Sequence, residues 1–340
     1  MRTYRLTLLS SIPVLSFALG GCGSDNLTLP SEGEAARIAV AEGNGQQGRV
    51  GDTLSLPVAV VVTDSKDRPV VGVAVDFGIQ DGSGGTASPT QVVTGDSGIA
   101  RTTVTLGPRV GPVTGRAWIA VADGQEEVET EFTAEALPAD AYGLTLKFGD
   151  LQSAPVGTVL PDSLVVLVTD AFGNPIADQP VNWAAEGGGS VSAAATRTDA
   201  NGETWVKRTL GSTAGSQTTT ASADGLAGSP VVFSHTAIPG NAARVIIIDG
   251  NGQQAAPGAT LPEPLVVQVL DAENNPIVDR PVTWVIGTGE GVVNPGTSNT
   301  DAQGQATTRW TLGPEPGRNT VSAVVSGLNV VVFTATAVSP

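Results

Sequence analysis

One pattern of strand, turn and strand is written three times in this chain, roughly a hundred residues apart, and a repeat at that period marks an array of similar units. The copies read VVVTDSKDRPVVGVAVDF from Val60, VVLVTDAFGNPIADQPVNW from Val165 and VVQVLDAENNPIVDRPVTW from Val266. The internal offsets hold as well. Thirteen residues separate Asp64 from Phe77, Asp170 from Trp183 and Asp271 from Trp284. A proline follows each aspartate by five residues (Pro69, Pro175, Pro276), and Gly98, Gly202 and Gly304 each precede a leucine-glycine pair by eight (Leu106, Leu210, Leu312). Each copy closes on an apolar strand that carries Phe132, Phe233 or Phe333.

Within a unit the apolar residues alternate or run in short stretches between clusters of Gly, Pro, Asn and Asp, and Val and Thr dominate. Helical spacing is sustained nowhere beyond the first segment of the chain, so the elements are strands. Several short strands per hundred residues predict two packed sheets. The fold expected is therefore all-β, a tandem array of three sandwiches over 36–137, 138–239 and 240–340. In the segment ATTRWTL the residues Ala306, Thr308, Trp310 and Leu312 share one face, matched by Ala100, Thr102, Val104 and Leu106 in the first unit. That face is expected to point to the core. In the second unit it reads Thr204, Val206, Arg208 and Leu210. Arg208 predicts either a sheet edge with its head in water or a bulge that shifts the register. The joints ALPADAYG and AIPGNAAR are short and each contains a proline, as expected for a semi-rigid rod. At roughly 3.3 Å per residue each unit would be about 35 Å long, and three would span on the order of 100 Å.

The first 21 residues differ in kind. Arg2 and Arg5 precede an apolar run from Leu6 to Leu19 broken by Ser10, Ser11, Pro13 and Ser16, the composition of a secretory signal. Leu19-Gly20-Gly21-Cys22 follows, and small residues before the sole cysteine resemble the lipobox of bacterial lipoproteins, which implies lipidation of Cys22. Ordinary cleavage is the alternative. Lipidation would hold the chain permanently on a membrane, with 22–35 as a flexible tether of at most roughly 40 Å. Gly23, where an aspartate would resemble an inner-membrane retention signal, leans toward the outer membrane.

The net charge is −16 and becomes −18 once Arg2 and Arg5 are removed, with no basic cluster to offset it, so nucleic acid is a poor partner. Catalysis is constrained by count: one histidine, His235, and no cysteine besides Cys22 leave no room for a Ser-His-Asp or Cys-His set, and no cofactor or metal is expected. His235 aligns with Ala134 and Ala335, as a packed or joint-facing residue would. Asp64, Asp170 and Asp271 fit turn formation, in which the carboxylate bonds the backbone two residues on. Calcium at a joint, where Glu135 and Asp140 lie, is the other reading. The glycine clusters DGSGG, EGGGS and GTGEG precede no helix and read as loops, and GNGQQ at Gly43 and Gly250 reads as a hairpin turn.

The Asp-terminated strand, the turn in DAFGNPIADQPVNW, the TDANGETWV and TDAQGQATT turns, the leucine-glycine pair and the terminal Phe strand together resemble the bacterial Ig-like domain of the Big-1 type. That module belongs to the intimin and invasin family of outer-membrane adhesins. The resemblance covers about 300 of the 340 residues. The first unit departs from it, with DSKDRPV in place of the Asn-Pro turn and Phe77 in place of tryptophan. It implies an Ig-like sandwich, exposure outside the cytoplasm and an adhesin-like or stalk role at the cell surface. It carries over no receptor, because the lectin-like tip and β-barrel of those adhesins have no counterpart in these residues. Protein or glycan recognition is then expected where the copies differ. Candidates are Trp118, beside three extra residues between Gly111 and Gly124, and Trp205, which points away from the core in a run with Lys207. Trp205 serves equally as cover for a neighbouring strand or joint. Binding of carbohydrate or cell wall through exposed aromatics is the alternative function.

Overall fold

The computed structural model describes residues 33–120 and 127–339, and every regular element among them is a β-strand. In the first unit these are β1 (Arg37–Glu42), β2 (Gln46–Arg49), β3 (Val58–Thr63), β4 (Ala74–Ile79), β5 (Thr86–Ser88), β6 (Gln91–Val93), β7 (Ile99–Thr105), β8 (Gly111–Ile119) and β9 (Val128–Leu137). They form one sheet in the order β1-β3-β7-β5 and a second in the order β2-β9-β8-β4-β6. The third unit repeats this plan, and the second does so with its first sheet divided into three strands and a separate pair, Ser190–Val191 with Arg208–Thr209, so the chain is an array of Ig-like sandwiches. Period-2 alternation places the residues. In β7 Ala100, Thr102 and Val104 are buried and the residues between them are exposed, and Ala306, Thr308 and Trp310 do the same in the third unit.

Each unit has its own hydrophobic core, one between Ile38 and Ala136, one between Leu144 and Ala237, and one between Val245 and Ala337. Trp183 and Trp284 pack beside the closing phenylalanines of their own sheets, with ring centroids 6.0 Å apart for Trp183 and Phe233 and 5.8 Å for Trp284 and Phe333, and Phe77 and Phe132 share the core of the first unit. Trp183 Nε1 donates to Thr196 Oγ1 at 2.8 Å and Trp284 Nε1 to Ser298 Oγ at 3.0 Å, so each indole keeps its polar atom satisfied inside the core. Truncating one of these rings to alanine removes about 3–5 kcal/mol of stability.

The GNGQQ segments are not hairpins. They are the points where the first strand leaves one sheet for the other, since β1 pairs antiparallel with β3 whereas β2 pairs parallel with β9. Gly43, Gly149 and Gly250 make the crossing at φ of 79°, 94° and 84°. A Cβ there would be driven into the carbonyl oxygen of Pro57, Ser163 or Pro264. Gln46, Gln152 and Gln253 brace the crossing. The Gln46 amide donates to Gly43 O at 2.9 Å and Leu56 O at 2.8 Å and accepts from Leu56 N at 2.9 Å.

Arg208 fits neither expectation made for it. The strand is interrupted at Lys207, whose amide turns to Ser192 Oγ at 3.0 Å, leaving Glu203–Val206 and Arg208–Thr209 as separate segments. Inward alternation nevertheless continues through Val206, Arg208 and Leu210, and the Arg208 head is wholly buried. Its guanidinium donates to Thr209 O at 2.6 Å, Gly188 O at 2.6 Å, Glu186 O at 3.0 Å, Ser190 O at 3.3 Å and Gln217 Oε1 at 3.2 Å. The acceptors come mainly from the EGGGS loop, whose glycines 187, 188 and 189 stand at φ of 78°, 87° and 73°. A glycine-rich loop wraps its carbonyls around a cation, and that arrangement supplies hydrogen bonds no edge position needs.

Candidate functional site

Three kinds of place on this scaffold carry side chains beyond the demands of the core: an outer face of the second unit, an outer face of the first, and the two joints. Cys22, and the extra residues between Gly111 and Gly124 as far as 121–126, lie outside the described residues.

Trp205 is 57% exposed and stands in a row across three paired strands, Phe148 to Val165 to Trp205. Phe148 is 56% exposed, so two aromatic rings flank Val165 on one outer sheet face. The equivalent row in the first unit is Glu42, Ala59 and Arg101, with an ion pair at 3.4 Å, and in the third it is Asp249, Val266 and Thr307. Only the second unit presents an apolar row here. The ion pair of Lys147 with Glu203 borders it, and Trp205 also lines a shallow concavity of about 380 Å³ with Ser192, Thr196, Arg197, Asp199 and Glu203. Phe148 escaped sequence reasoning because KFGDLQS lacks the GNGQQ signature of its siblings. The signal available was its position directly before Gly149, where Gly43 and Gly250 follow acids.

Trp118 is more committed. Its row on the second sheet of the first unit is Asp76, Trp118 and Glu129, and it is half-buried, with its ring against Gly78. Arg116 stands over it at 4.9 Å from the ring centroid and pairs with Glu127 and Glu129. A cation on one face and its own sheet on the other occupy much of this indole. The two tryptophans are therefore separate features on different units.

His235 is buried beside Phe233, with Nε2 at 3.1 Å from Thr219 Oγ1 and Nδ1 unpartnered among the described residues. Burial pushes its pKa down, the Arg208 charge adds to that, and Asp150 opposes it.

The joints are built on the repeated aspartates. Asp64, Asp170 and Asp271 are all buried. In each, Oδ1 accepts the amides two and four residues on: Lys66 and Arg68 at 2.9 and 3.0 Å, Phe172 and Asn174 at 2.9 and 2.8 Å, Glu273 and Asn275 at 2.9 and 2.7 Å. The other oxygen reaches into the joint. Asp170 Oδ2 accepts from Ala139 N at 3.1 Å and Asp271 Oδ2 from Gly240 N at 2.9 Å. Burial raises the pKa of both carboxyls, but hydrogen bonds from the Asn174 or Asn275 amide, the joint amide and the turn outweigh it and leave each below the ordinary value. In the first unit hydrogen bonds from the Arg68 amide and guanidinium hold Asp64 down at about 2. Asp140, considered above with Glu135 for calcium, pairs with Arg49 at 2.7 Å across the first joint. Among the described residues no group of three or more His, Cys, Asp and Glu side chains is arranged to hold a metal ion.

Asn174 and Asn275 extend the arrangement across the joint. Asn174 Nδ2 donates to Asp170 Oδ2 at 2.9 Å and to Pro108 O of the preceding unit at 2.8 Å, and its Oδ1 accepts from Val110 N at 3.4 Å. Asn275 repeats this with Asp271 Oδ2 at 2.8 Å, Ser212 O at 2.9 Å and Ala214 N at 2.7 Å. Phe172 adds a ring against Gly51 at the first joint.

Comparison with known proteins supplies one family model, one similar curated protein and several solved structures of similar fold. Residues 161–235 match the bacterial Ig-like domain (group 1). The inverse autotransporter adhesin YeeJ of Escherichia coli strain K12 is 33% identical over 137 residues, 40% of this chain and 6% of YeeJ, so the chain spans a small part of that relative's length. Among solved structures, the Escherichia coli adhesin FdeC aligns over 89% of this chain and 99% of its own at 19% identity and a TM-score of 0.48. InvD of Yersinia pseudotuberculosis aligns over 87% and 97% at 15% identity and a TM-score of 0.47. The bacterial integrin-binding protein invasin aligns over 89% and 60% at 14% identity and a TM-score of 0.44.

Proposed function

We propose that this chain, which carries a bacterial Ig-like domain of group 1 at residues 161–235, is a cell-envelope lipoprotein. Its three Ig-like domains, over 36–137, 138–239 and 240–340, form a semi-rigid rod that serves as an adhesin-like binding module or stalk. The observation that carries the reading is the recurrence of one set of hydrogen bonds at both joints, through Asp170 with Asn174 and Asp271 with Asn275. Two Ig-like domains joined by a free linker have no use for a buried carboxylate and an asparagine shared with the neighbouring domain. A display arm does, because each added angular constraint extends its reach. The adhesin role of YeeJ supports the functional half of the reading, for a protein of which this chain matches a small part. Cys22 is the attachment point, lipidated at the outer membrane, with 22–35 as the tether.

Three measurements test it. Small-angle scattering of the chain is expected to give a maximum dimension near 100 Å, and a compact particle refutes the rod. Incorporation of labelled fatty acid is expected to vanish in Cys22→Ser. Protease treatment of intact cells is expected to remove the domains, and their protection until the outer membrane is opened refutes surface display.

A second reading, carbohydrate or cell-wall binding, is favoured by the Phe148, Val165 and Trp205 row, which replaces charged and polar residues of its siblings. Aromatic faces beside hydroxyl and carboxylate groups suit sugar rings. A glycan array probed with the chain and with Trp205→Ala separates the two readings, since a protein receptor leaves it blank.

A further inference from the structure

The Asn-Pro turn occurs in two of the three units, and the structure gives a reason for the exception. The loop after each leucine-glycine pair reads Gly107-Pro108-Arg109-Val110-Gly111, Gly211-Ser212-Thr213-Ala214-Gly215 and Gly313-Pro314-Glu315-Pro316-Gly317. In the first two loops the second residue offers a carbonyl and the fourth an amide to the asparagine of the next unit. In the third the fourth residue is Pro316, which has no N–H to give. In the first unit the position equivalent to Asn174 and Asn275 is Arg68, whose Nε donates to Asp64 Oδ2 at 2.7 Å and so replaces the asparagine amide within its own turn. Both asparagines thus stand where the preceding loop offers a carbonyl and an amide.

Building on the rod reading, we infer that this asparagine and the preceding loop are a plug and socket, a recognition surface at the unit pole whose partner is the pole of another unit of the same type. One planar amide donates to a carbonyl and accepts from an amide two residues further on, while its second proton holds the buried aspartate of its own turn. That geometry fixes distance and rotation together, which a contact of apolar side chains does not. Two hydrogen bonds are too few to hold separate chains against the entropy of association. Between units joined by a short linker the effective concentration is high enough for them to set the angle. The surface therefore works in cis. A unit seated on the loop at 313–317 would lack the amide donor.

Amide hydrogen exchange of the full chain reads this directly. Asn275→Ala is expected to raise exchange at the Ala214 amide, on the other unit, by roughly tenfold, as for loss of one hydrogen bond, while the amides of the third unit's core strands stay protected. A role confined to the turn leaves Ala214 unchanged and overturns the inference. The second variant, Ala214→Pro, copies the third loop and removes the donor from the socket side without touching the Asn275 contact to Asp271. It is expected to broaden the distribution of inter-unit angles in small-angle scattering at unchanged melting temperature. A wild-type chain that is extended with Ala214→Pro equally narrow overturns the lock and leaves the rod standing. A wild-type chain that is already compact overturns the rod itself.

Discussion

Replacing Arg208 by alanine tests whether a buried guanidinium with no carboxylate partner stabilises the second domain. In the folded chain the head donates five hydrogen bonds at 2.6–3.3 Å, four to backbone carbonyls, and no carboxylate of the described residues forms a salt bridge with it. Truncation removes two buried methylenes beyond Cβ, about 1.6 kcal/mol at roughly 0.8 kcal/mol each. It also leaves the carbonyls of Glu186, Gly188, Ser190 and Thr209 short of a donor, at up to about 1 kcal/mol each after water enters the space. Against this stands relief of the desolvated charge, which returns a few kcal/mol. The net expectation is a loss of about 3 kcal/mol, near the usual cost of a large-to-small core change. For a domain of this size that lowers the midpoint by roughly 12–24 °C. Scanning calorimetry of the full chain is the assay, and only the second domain's transition should move, because the three cores are separate. A midpoint unchanged or raised would mean that the cost of burying the charge exceeds what the carbonyl cage returns, and the account of the EGGGS loop would fail.

Four further outcomes are expected. Burial lowers the His235 pKa below its ordinary 6.5, so as pH falls through that value the unfolded state takes up a proton before the native domain does; the second domain should lose up to about 1.4 kcal/mol per pH unit in that window, and His235→Ala should flatten the slope in thermal melts. Asp64, Asp170 and Asp271 have depressed folded values, so their contribution is complete above the unfolded value of 3.8 and is lost on acidification below it, down to about 2 for Asp64; acid titration followed by circular dichroism should place the loss in that window. Gly149→Ala puts a Cβ into the Ser163 carbonyl at φ of 94° and should cost about 2–3 kcal/mol in urea unfolding, against under 0.5 for an exposed alanine substitution elsewhere. Trp205→Ala should leave the melting midpoint within a few degrees while abolishing any binding that depends on the second domain; a drop comparable to that of Arg208→Ala would make the ring structural.

Repetition made most of the fold legible. The fixed offsets from Asp64, Asp170 and Asp271 to the core aromatics are properties of the chain alone, and period-2 alternation is a local rule of strands, so the inward faces could be read before any pairing was known. The aspartate turns were legible for the same reason, since each carboxylate bonds amides two and four residues away. Arg208 was misjudged because alternation says which way a side chain points and not what meets it there; its acceptors come from a loop some twenty residues earlier, folded back by three glycines. The place of Phe148 before Gly149 was readable, but its row with Val165 and Trp205 exists only when strands far apart in sequence are paired in one register. In the joints the chain shows an Asn-Pro turn twice and lacks it once, and that difference was visible as a mere departure from a pattern. Its meaning lies in contacts over sixty residues away in sequence, from Asn174 to Pro108 and from Asn275 to Ser212. Local chemistry sets the strands, turns and facing of side chains. Which poles touch, which outer rows become apolar and what surrounds a buried charge depend on long-range closure, and these the tertiary structure alone decided.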